Sequence, residues 1–221
     1  MSHLLLVDDH PMVRAGLRHV LAAEPDLQVA DEASSAAEAF SAVDSLQPDL
    51  VITDITLPDK SGLDLIKDLL ALYPSLKILV FSMHDEMLYA ERVIRAGGRG
   101  YLMKGSDSDQ FIKAVRDVLT GELSLSPRVA RHILSRLGST AKTAAMIGPA
   151  VLSDRELEIF EMLGHGWTSS QIGEKLHISP RTVDAHRNNI RLKLSLPDAA
   201  AVLREAIIWV ELGEKKRDSL A

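Results

Sequence analysis

The chain has 221 residues, 46% of them hydrophobic, enough for one core or two modest ones and too many for a chain disordered throughout. It contains no Cys, which excludes disulfides and thiolate metal sites, and no apolar run approaches the ~18 residues of a membrane span. The net charge of −6 is unevenly spread: residues 1–120 hold 11 Lys/Arg against 19 Asp/Glu, residues 121–150 hold 4 against 1, and residues 151–221 hold 10 against 11. The acidic excess therefore lies in the first half, where it suits a cation site or ordinary solvated surface. Strand sequence begins at once with no signal-peptide pattern, so a soluble cytoplasmic protein without membrane attachment is expected.

His3-Leu-Leu-Leu-Val reads as a buried strand that runs into Asp8 and Asp9. A helix is predicted from Pro11 to Ala23 with Met12, Leu17, Val20 and Leu21 inward, then an edge-like strand over Leu27–Ala33 and a helix over Ala36–Leu46. Leu50, Val51 and Ile52 form a second run suited to burial on both faces, ending at Asp54, with Pro58 and Gly62 marking a loop. A helix over about Ser61–Leu72 follows, with Leu63, Ile66, Leu69 and Leu70 apolar. The strand Lys77–Ser82 then ends in a hydroxyl. A helix over about Asp85–Ala96 stops at Gly97-Gly98, and the strand Gly100–Lys104 ends in an ammonium. A last helix starts after Asp107 and uses Phe111, Val115, Val118 and Leu119. Repeated βα units imply an α/β doubly wound parallel five-stranded sheet.

In open α/β sheets, ligands sit beyond the carboxyl ends of the strands. Taken alone, Asp54 reads equally well as a carboxylate that solvates a loop. If the four strands are neighbours, Asp8, Asp9, Asp54, Ser82 and Lys104 converge on one crevice. Close carboxylates repel each other and ask for a cation, and an all-oxygen set suits Mg²⁺ together with phosphate oxygens. Lys104 and Ser82 suit a phosphoryl group, and the nucleophile would be a carboxylate.

Asp8-Asp9, Asp54 followed by Pro58 and Gly62, Ser82, Tyr101 and Lys104 resemble the receiver domain of two-component response regulators, over roughly residues 1–120. The resemblance implies a flavodoxin-like fold in which Asp54 accepts a phosphoryl group. It further implies that Asp8, Asp9 and Asp54 hold Mg²⁺ together with the backbone carbonyl of Thr56, and that Lys104 contacts the phosphoryl group. Ser82 and Tyr101 would form the switch, and Thr56 and His84 would tune dephosphorylation. Ser82 stands where Thr is commoner and keeps the hydroxyl; Met83 stands where many receivers have a small residue. Tyr101 alone would read as packing, but its place three residues before Lys104 favours the switch. On phosphorylation Ser82 is expected to move onto Asp54, Tyr101 to fill the space vacated, and the face of the fourth helix to become able to pair with another protomer.

Gly121–Pro127 reads as a domain boundary, Pro127–Leu137 as a short basic helix, and Gly138–Pro149, rich in Gly, Ser, Thr and Ala, as a flexible linker, so that residues 121–149 connect two domains. The remainder is helical. Ser153 and Glu156 form a capping box before Leu157, Phe160 and Leu163, and Gly164 and Gly166 stop that helix. Thr168–Leu176 is a second helix, and Ser179-Pro180 opens a third with Pro in its first turn. On the third helix Val183, Ile190 and Leu194 share the core face, while Arg181, Asp184, Ala185 and Asn188 lie opposite, flanked by Arg187 and Arg191. Residues 179–194 carry four Lys/Arg against one Asp. By charge alone this is an ordinary surface helix; after a short turn from its neighbour it suits a DNA major groove.

Leu152–Ile159, Gly166, Ile172, Leu176, Ile178-Ser179, Thr182-Val183, His186, Ile190 and Lys193-Leu194 resemble a LuxR-type helix-turn-helix domain, over about residues 150–213. With the receiver, the whole chain is similar to NarL/FixJ-type response regulators. The resemblance implies that Asp184, Ala185 and Asn188 face base edges with Arg187 a further candidate, and that Ser179, Arg181, Thr182, His186, Arg191 and Lys193 serve DNA binding, mostly at phosphates. His186 alone reads as a packed histidine just as well. Gly173 stands where the family has Ala. A final helix over Ala199–Leu212 would close the domain and pair two copies, followed by a charged tail over residues 214–221, of which the stretch Gly213–Asp218 is expected to be disordered. The expected partners are a sensor histidine kinase, double-stranded DNA with paired half-sites and a second copy of the chain. Two other readings stay open: a regulator acting through protein contacts, and a phospho-Asp hydrolase, against which Thr56 replaces the Asp usual two positions after such a nucleophile.

Overall fold

A computed structural model of the chain describes residues 1–138 and 148–218. They fall into two compact units, Met1–Thr140 and Ala141–Ala221. In the first, β1 (Ser2–Val7), β2 (Leu27–Ala33), β3 (Leu50–Thr53), β4 (Lys77–Ser82) and β5 (Gly100–Met103) alternate with α1 (Pro11–Leu21), α2 (Ala36–Leu46), α3 (Gly62–Leu72), α4 (Glu86–Arg95) and α5 (Ser108–Leu119). All strand pairs are parallel, in the order β2-β1-β3-β4-β5. Leu4, Leu5, Leu6, Leu50, Val51, Ile78, Leu79 and Val80 are wholly buried, as expected of strands with both faces covered by helices.

The register builds the crevice. The strand order reverses between β1 and β3, and Val7 pairs with Thr53, so the residues that follow, Asp8 and Asp54, emerge side by side. Ser82 pairs with Met103 at the same end of the sheet, which puts Lys104 one step beyond.

The helices match their sequence periods, with two corrections. Met12 is 84% exposed rather than inward. It lies five residues before Leu17, about 140° round the helix, whereas Val13 falls on the packed side. The helix also ends at Leu21, not Ala23. The short basic helix, α6 (Pro127–Gly138), belongs to the first unit and packs on α4. Most of the expected linker Gly138–Pro149 lies outside the described residues; Gly148–Val151 is a single 3-10 turn.

The second unit consists of α7 (Asp154–Gly164), α8 (Ser169–Lys175), α9 (Pro180–Lys193) and α10 (Ala199–Asp218) around Leu157, Ile159, Phe160, Ile172, Val183, Ile190, Val202 and Ala206. The Ser153/Glu156 capping box is present, and Thr168 with Gln171 forms a second one. α10 runs to Asp218, past the expected end at Leu212 and through the stretch expected to be a disordered tail. Gly213 costs at most ~1 kcal/mol in a helix, and the Glu, Lys and Arg residues after it favour one. At Gly173 an added Cβ would stand 2.7 Å from the Ile178 carbonyl oxygen, so the turn between α8 and α9 comes close enough to account for Gly there.

Candidate functional site

Asp54 is buried and its carboxylate is fully engaged. Oδ1 accepts from the Ser82 hydroxyl (2.6 Å) and from the Ile55 amide (2.6 Å), while Oδ2 accepts from Lys104 Nζ (2.6 Å). Lys104 also reaches Asp8 Oδ2 at 2.7 Å, so one ammonium bridges two buried carboxylates. Burial alone would make Lys104 easier to deprotonate, but the two Asp partners outweigh it and raise its pKa, so it stays charged. The backbone fixes these groups: Asp54 N–H donates to the Val7 carbonyl (2.9 Å), and Lys104 N–H to the Ser82 carbonyl (2.9 Å).

Asp8, Asp9 and His10 bring one potential ligand atom each within 4.8 Å of the others. His10 Nδ1 lies 2.6 Å from Asp9 Oδ1. Sequence reasoning had not singled out His10, which is an exposed residue after the strand. Three carboxylates against one ammonium leave two negative charges in the crevice, and the Asp donors are all oxygen. That set fits a hard divalent cation. The Asp54 carboxylate, expected as a third ligand, is turned towards Ser82 and Lys104 instead.

Thr56 Oγ1 and His84 Nε2 are 2.8 Å apart, so the two residues expected to tune dephosphorylation touch each other. Tyr101 is buried and donates its hydroxyl to the His84 carbonyl (2.8 Å). The inward arrangement expected to follow phosphorylation, with Ser82 on Asp54 and Tyr101 turned in, is therefore the one described. Met83, next to Ser82 in the chain, is 60% exposed.

The loop after Asp54 is tied at two points. Gly62 N–H donates to the Ile55 carbonyl (2.6 Å), and the two oxygens of Asp59 accept from the Ala36 and Ala37 amides (2.8 and 2.9 Å) at the start of α2. Ser35 caps Glu38 N–H, so Asp59 takes the first-turn donors that Ser35 leaves. Asp59→Ala is expected to destabilise the unit by about 1 kcal/mol, with partial recovery in Asp59→Asn, measured by urea denaturation. An unchanged midpoint would show that the tether contributes nothing.

In the second unit Ser179, which caps α9, and Arg181, Thr182, Asp184, Ala185 and Asn188 on that helix are exposed, whereas His186, Arg187 and Arg191 are half-buried. Arg187 donates to Ser169 Oγ (2.9 Å), and Ser169 donates to Asp184 (2.7 Å), which ties α9 to α8. Arg191 bonds Asn188 Oδ1. Lys193, expected at a DNA phosphate, is paired with the buried Glu156 at 2.6 Å. Burial would raise the Glu156 pKa, but Lys193 and Ser153 pull it below the usual value. Burial, then Arg155, lowers the pKa of His186.

Comparison with known proteins agrees with both units. Residues 4–116 match the response regulator receiver domain, and residues 150–206 match the LuxR family of bacterial regulatory proteins. The oxygen regulatory protein NreC of Staphylococcus carnosus is 33% identical over 92% of this chain and 96% of its own. The transcriptional regulatory protein DegU of Brevibacillus brevis is 31% identical over 95% of each. Among solved structures, RcsB of Salmonella enterica serovar Typhimurium, bound to promoter P1flhDC in the presence of the phosphomimetic BeF3−, is 25% identical. It covers 93% of this chain and 98% of its own with a TM-score of 0.66. A LuxR-family two-component response regulator from Aurantimonas sp. SI85-9A1 is 32% identical, covering 63% of this chain and 99% of its own with a TM-score of 0.59.

Proposed function

The chain belongs to the response regulator family, a receiver domain joined to a LuxR-type DNA-binding domain, and on that premise we propose that phosphoryl transfer to Asp54 controls its binding to DNA and the transcription of target genes. The observation that carries this is the environment of Asp54: a buried carboxylate whose fixed partners, Ser82, Lys104 and the Ile55 amide, are all donors able to hold phosphoryl oxygens. One carboxylate oxygen attacks phosphorus, and the bond to the donor breaks with its electron pair left on the departing group. In the cell that group is the histidine nitrogen of a sensor kinase; a small acyl phosphate can replace it, so self-phosphorylation and autodephosphorylation are the only chemistry assigned to the chain. Asp8, Asp9, Asp54 and the Thr56 carbonyl would hold Mg²⁺, which when bound neutralises charge on the phosphoryl oxygens. Lys104 then exchanges its bond to Asp54 for one to the phosphoryl group, and the Thr56–His84 pair limits how water reaches it.

The receiver spans residues 1–120 and the DNA-binding domain residues 150–213. Asp184, Ala185, Asn188 and Arg187 are assigned to base edges, and Ser179, Arg181, Thr182, His186 and Arg191 to phosphates. Lys193 joins them only by leaving Glu156. The exposed Leu203, Ile207 and Ile208 of α10 supply an apolar face for pairing two copies on paired half-sites. No described helix is long and apolar enough to cross a membrane, and a DNA partner supports a cytoplasmic location.

Selection from a random DNA library, with Mg²⁺ and acetyl phosphate present, is expected to enrich paired half-sites. Affinity for the selected sequence should fall ~10³-fold or more between 50 and 200 mM salt. Enrichment of no sequence would remove DNA as the partner and favour a domain that docks on proteins.

A further inference from the structure

Ser169 is the first residue of α8, yet its hydroxyl does not serve that helix. Thr168 and Gln171 already close the helix start with a reciprocal pair of bonds. The Ser169 hydroxyl turns to α9 instead. It donates to Asp184 Oδ1 (2.7 Å) and accepts from Arg187 Nη1 (2.9 Å), and Nη1 also stands 3.5 Å from the same carboxylate oxygen. Both capacities of the hydroxyl are thereby spent on two residues of α9 that lie one turn apart.

This tie bears on what Arg187 can recognise. Asp184, Arg187, Asn188 and Arg191 follow the i, i+3, i+4, i+7 spacing of one helix face, and together they line an open groove of about 330 Å³. Arg187 therefore shares the surface of the residues assigned to base edges. With Nη1 engaged, its Nε and Nη2 hydrogens have no partner among the described residues. Those two donors are parallel in a planar guanidinium, and they match two acceptors side by side, as guanine presents with O6 and N7 in the major groove. A phosphate offers a similar pair of oxygens. Against that alternative stands Asp184, a 60% exposed carboxylate beside Arg187, which repels an anion.

We propose that Arg187 reads a guanine in each half-site through its Nε and Nη2 edge, and that Ser169, acting with Asp184, is the positioning residue that holds the guanidinium ready. This rests on the reading of the second unit as a DNA-binding domain. An arginine on an open surface must be ordered when it meets a base, whereas here one nitrogen is ordered beforehand, which favours the base that fits the fixed edge. The neighbouring carboxylate also offsets the charge of Arg187. The residue then contributes sequence preference and little of the sequence-independent attraction to phosphates.

Selection from a random DNA library by the full chain, with Mg²⁺ and acetyl phosphate, tests this when followed by titrations of the selected duplex and of duplexes changed at single base pairs. The wild type is expected to prefer guanine at one position of each half-site by about 10–100-fold. Arg187→Lys keeps the charge but not the paired donors, and should abolish that preference. Ser169→Ala should lower it at least five-fold at that position alone, and Ser169→Thr, which keeps the hydroxyl, should restore it. Ser169→Ala with the wild-type preference, or with affinity lowered evenly for every sequence, would overturn the positioning role. An Arg187→Gln protein weakened evenly on all sequences, with a salt slope smaller by about one, would put Arg187 on a phosphate. That result would overturn the proposal and leave DNA binding intact. Enrichment of no sequence by the wild type would overturn both.

Discussion

Asp54→Asn is expected to abolish the phosphoryl adduct that intact mass detects after incubation with Mg²⁺ and acetyl phosphate. The amide keeps the shape of the carboxylate, and its oxygen can still accept from Ser82 and the Ile55 amide, the bonds now at 2.6 Å. It lacks the negative charge that makes an oxygen nucleophilic. It also reduces the crevice to two carboxylates against Lys104, so Mg²⁺ affinity should fall as well. Lys104→Gln separates the two contributions: Asp54 remains available, but the preorganised cation is lost, and transfer should slow by about 10²–10³-fold. The same variant strands Asp8 and Asp54 without their shared partner, at a cost of roughly 3–5 kcal/mol in metal-free solution. Added Mg²⁺ should restore much of that stability. An adduct of wild-type stoichiometry in the Asp54→Asn protein would move the acceptor elsewhere and sink the proposed control.

Gly62→Ala is expected to harm both stability and transfer, for a backbone reason. A Cβ at this position would lie 2.2 Å from the Asp54 carbonyl oxygen and 2.8 Å from Ile55 Cα. Neither is the far end of a flexible side chain, so relief requires moving the strand end that carries the acceptor. The expected loss is about 1–3 kcal/mol, as for overpacking in a filled core, with slower adduct formation even at temperatures where the variant is folded. Gly16→Ala in α1 is the control. Nothing lies within 4 Å of its added Cβ, and replacing a helix-interior Gly should stabilise by roughly 0.5–1 kcal/mol. Urea denaturation of the two variants should therefore shift in opposite directions. A Gly62→Ala protein as stable as the wild type would mean that the loop yields without disturbing Asp54.

The crevice was readable before the fold because its members sit at strand ends. An apolar run of four to six residues marks a strand buried on both faces, and the residue after it must leave the sheet at a carboxyl end. Asp8, Asp54 and Lys104 satisfy that rule, Ser82 is the last residue of its own strand, and parallel pairing then brings the four to one place. Helix starts were equally local: Ser153 with Glu156 is a bond over three residues, legible from side-chain chemistry alone. Thr168 with Gln171 carries the same signal and could have been found in the same way.

What the sequence by itself determined about this protein was the set of short-range choices: strand or helix, which face is apolar, which chemistry ends each strand. The tertiary structure alone decided contacts between residues far apart in the chain. Asp59 caps a helix 22 residues earlier, Lys193 goes to Glu156 rather than remaining free, and Ser124 closes the edge of β5. Met12 is apolar yet exposed, because the helix turns it away from the core. The physical reason is one of range. Periodicity and caps act over four residues or fewer, so any window of sequence displays them. Which carboxylate an ammonium meets, or which face a linker helix covers, depends on how the packed elements place groups that no local pattern connects.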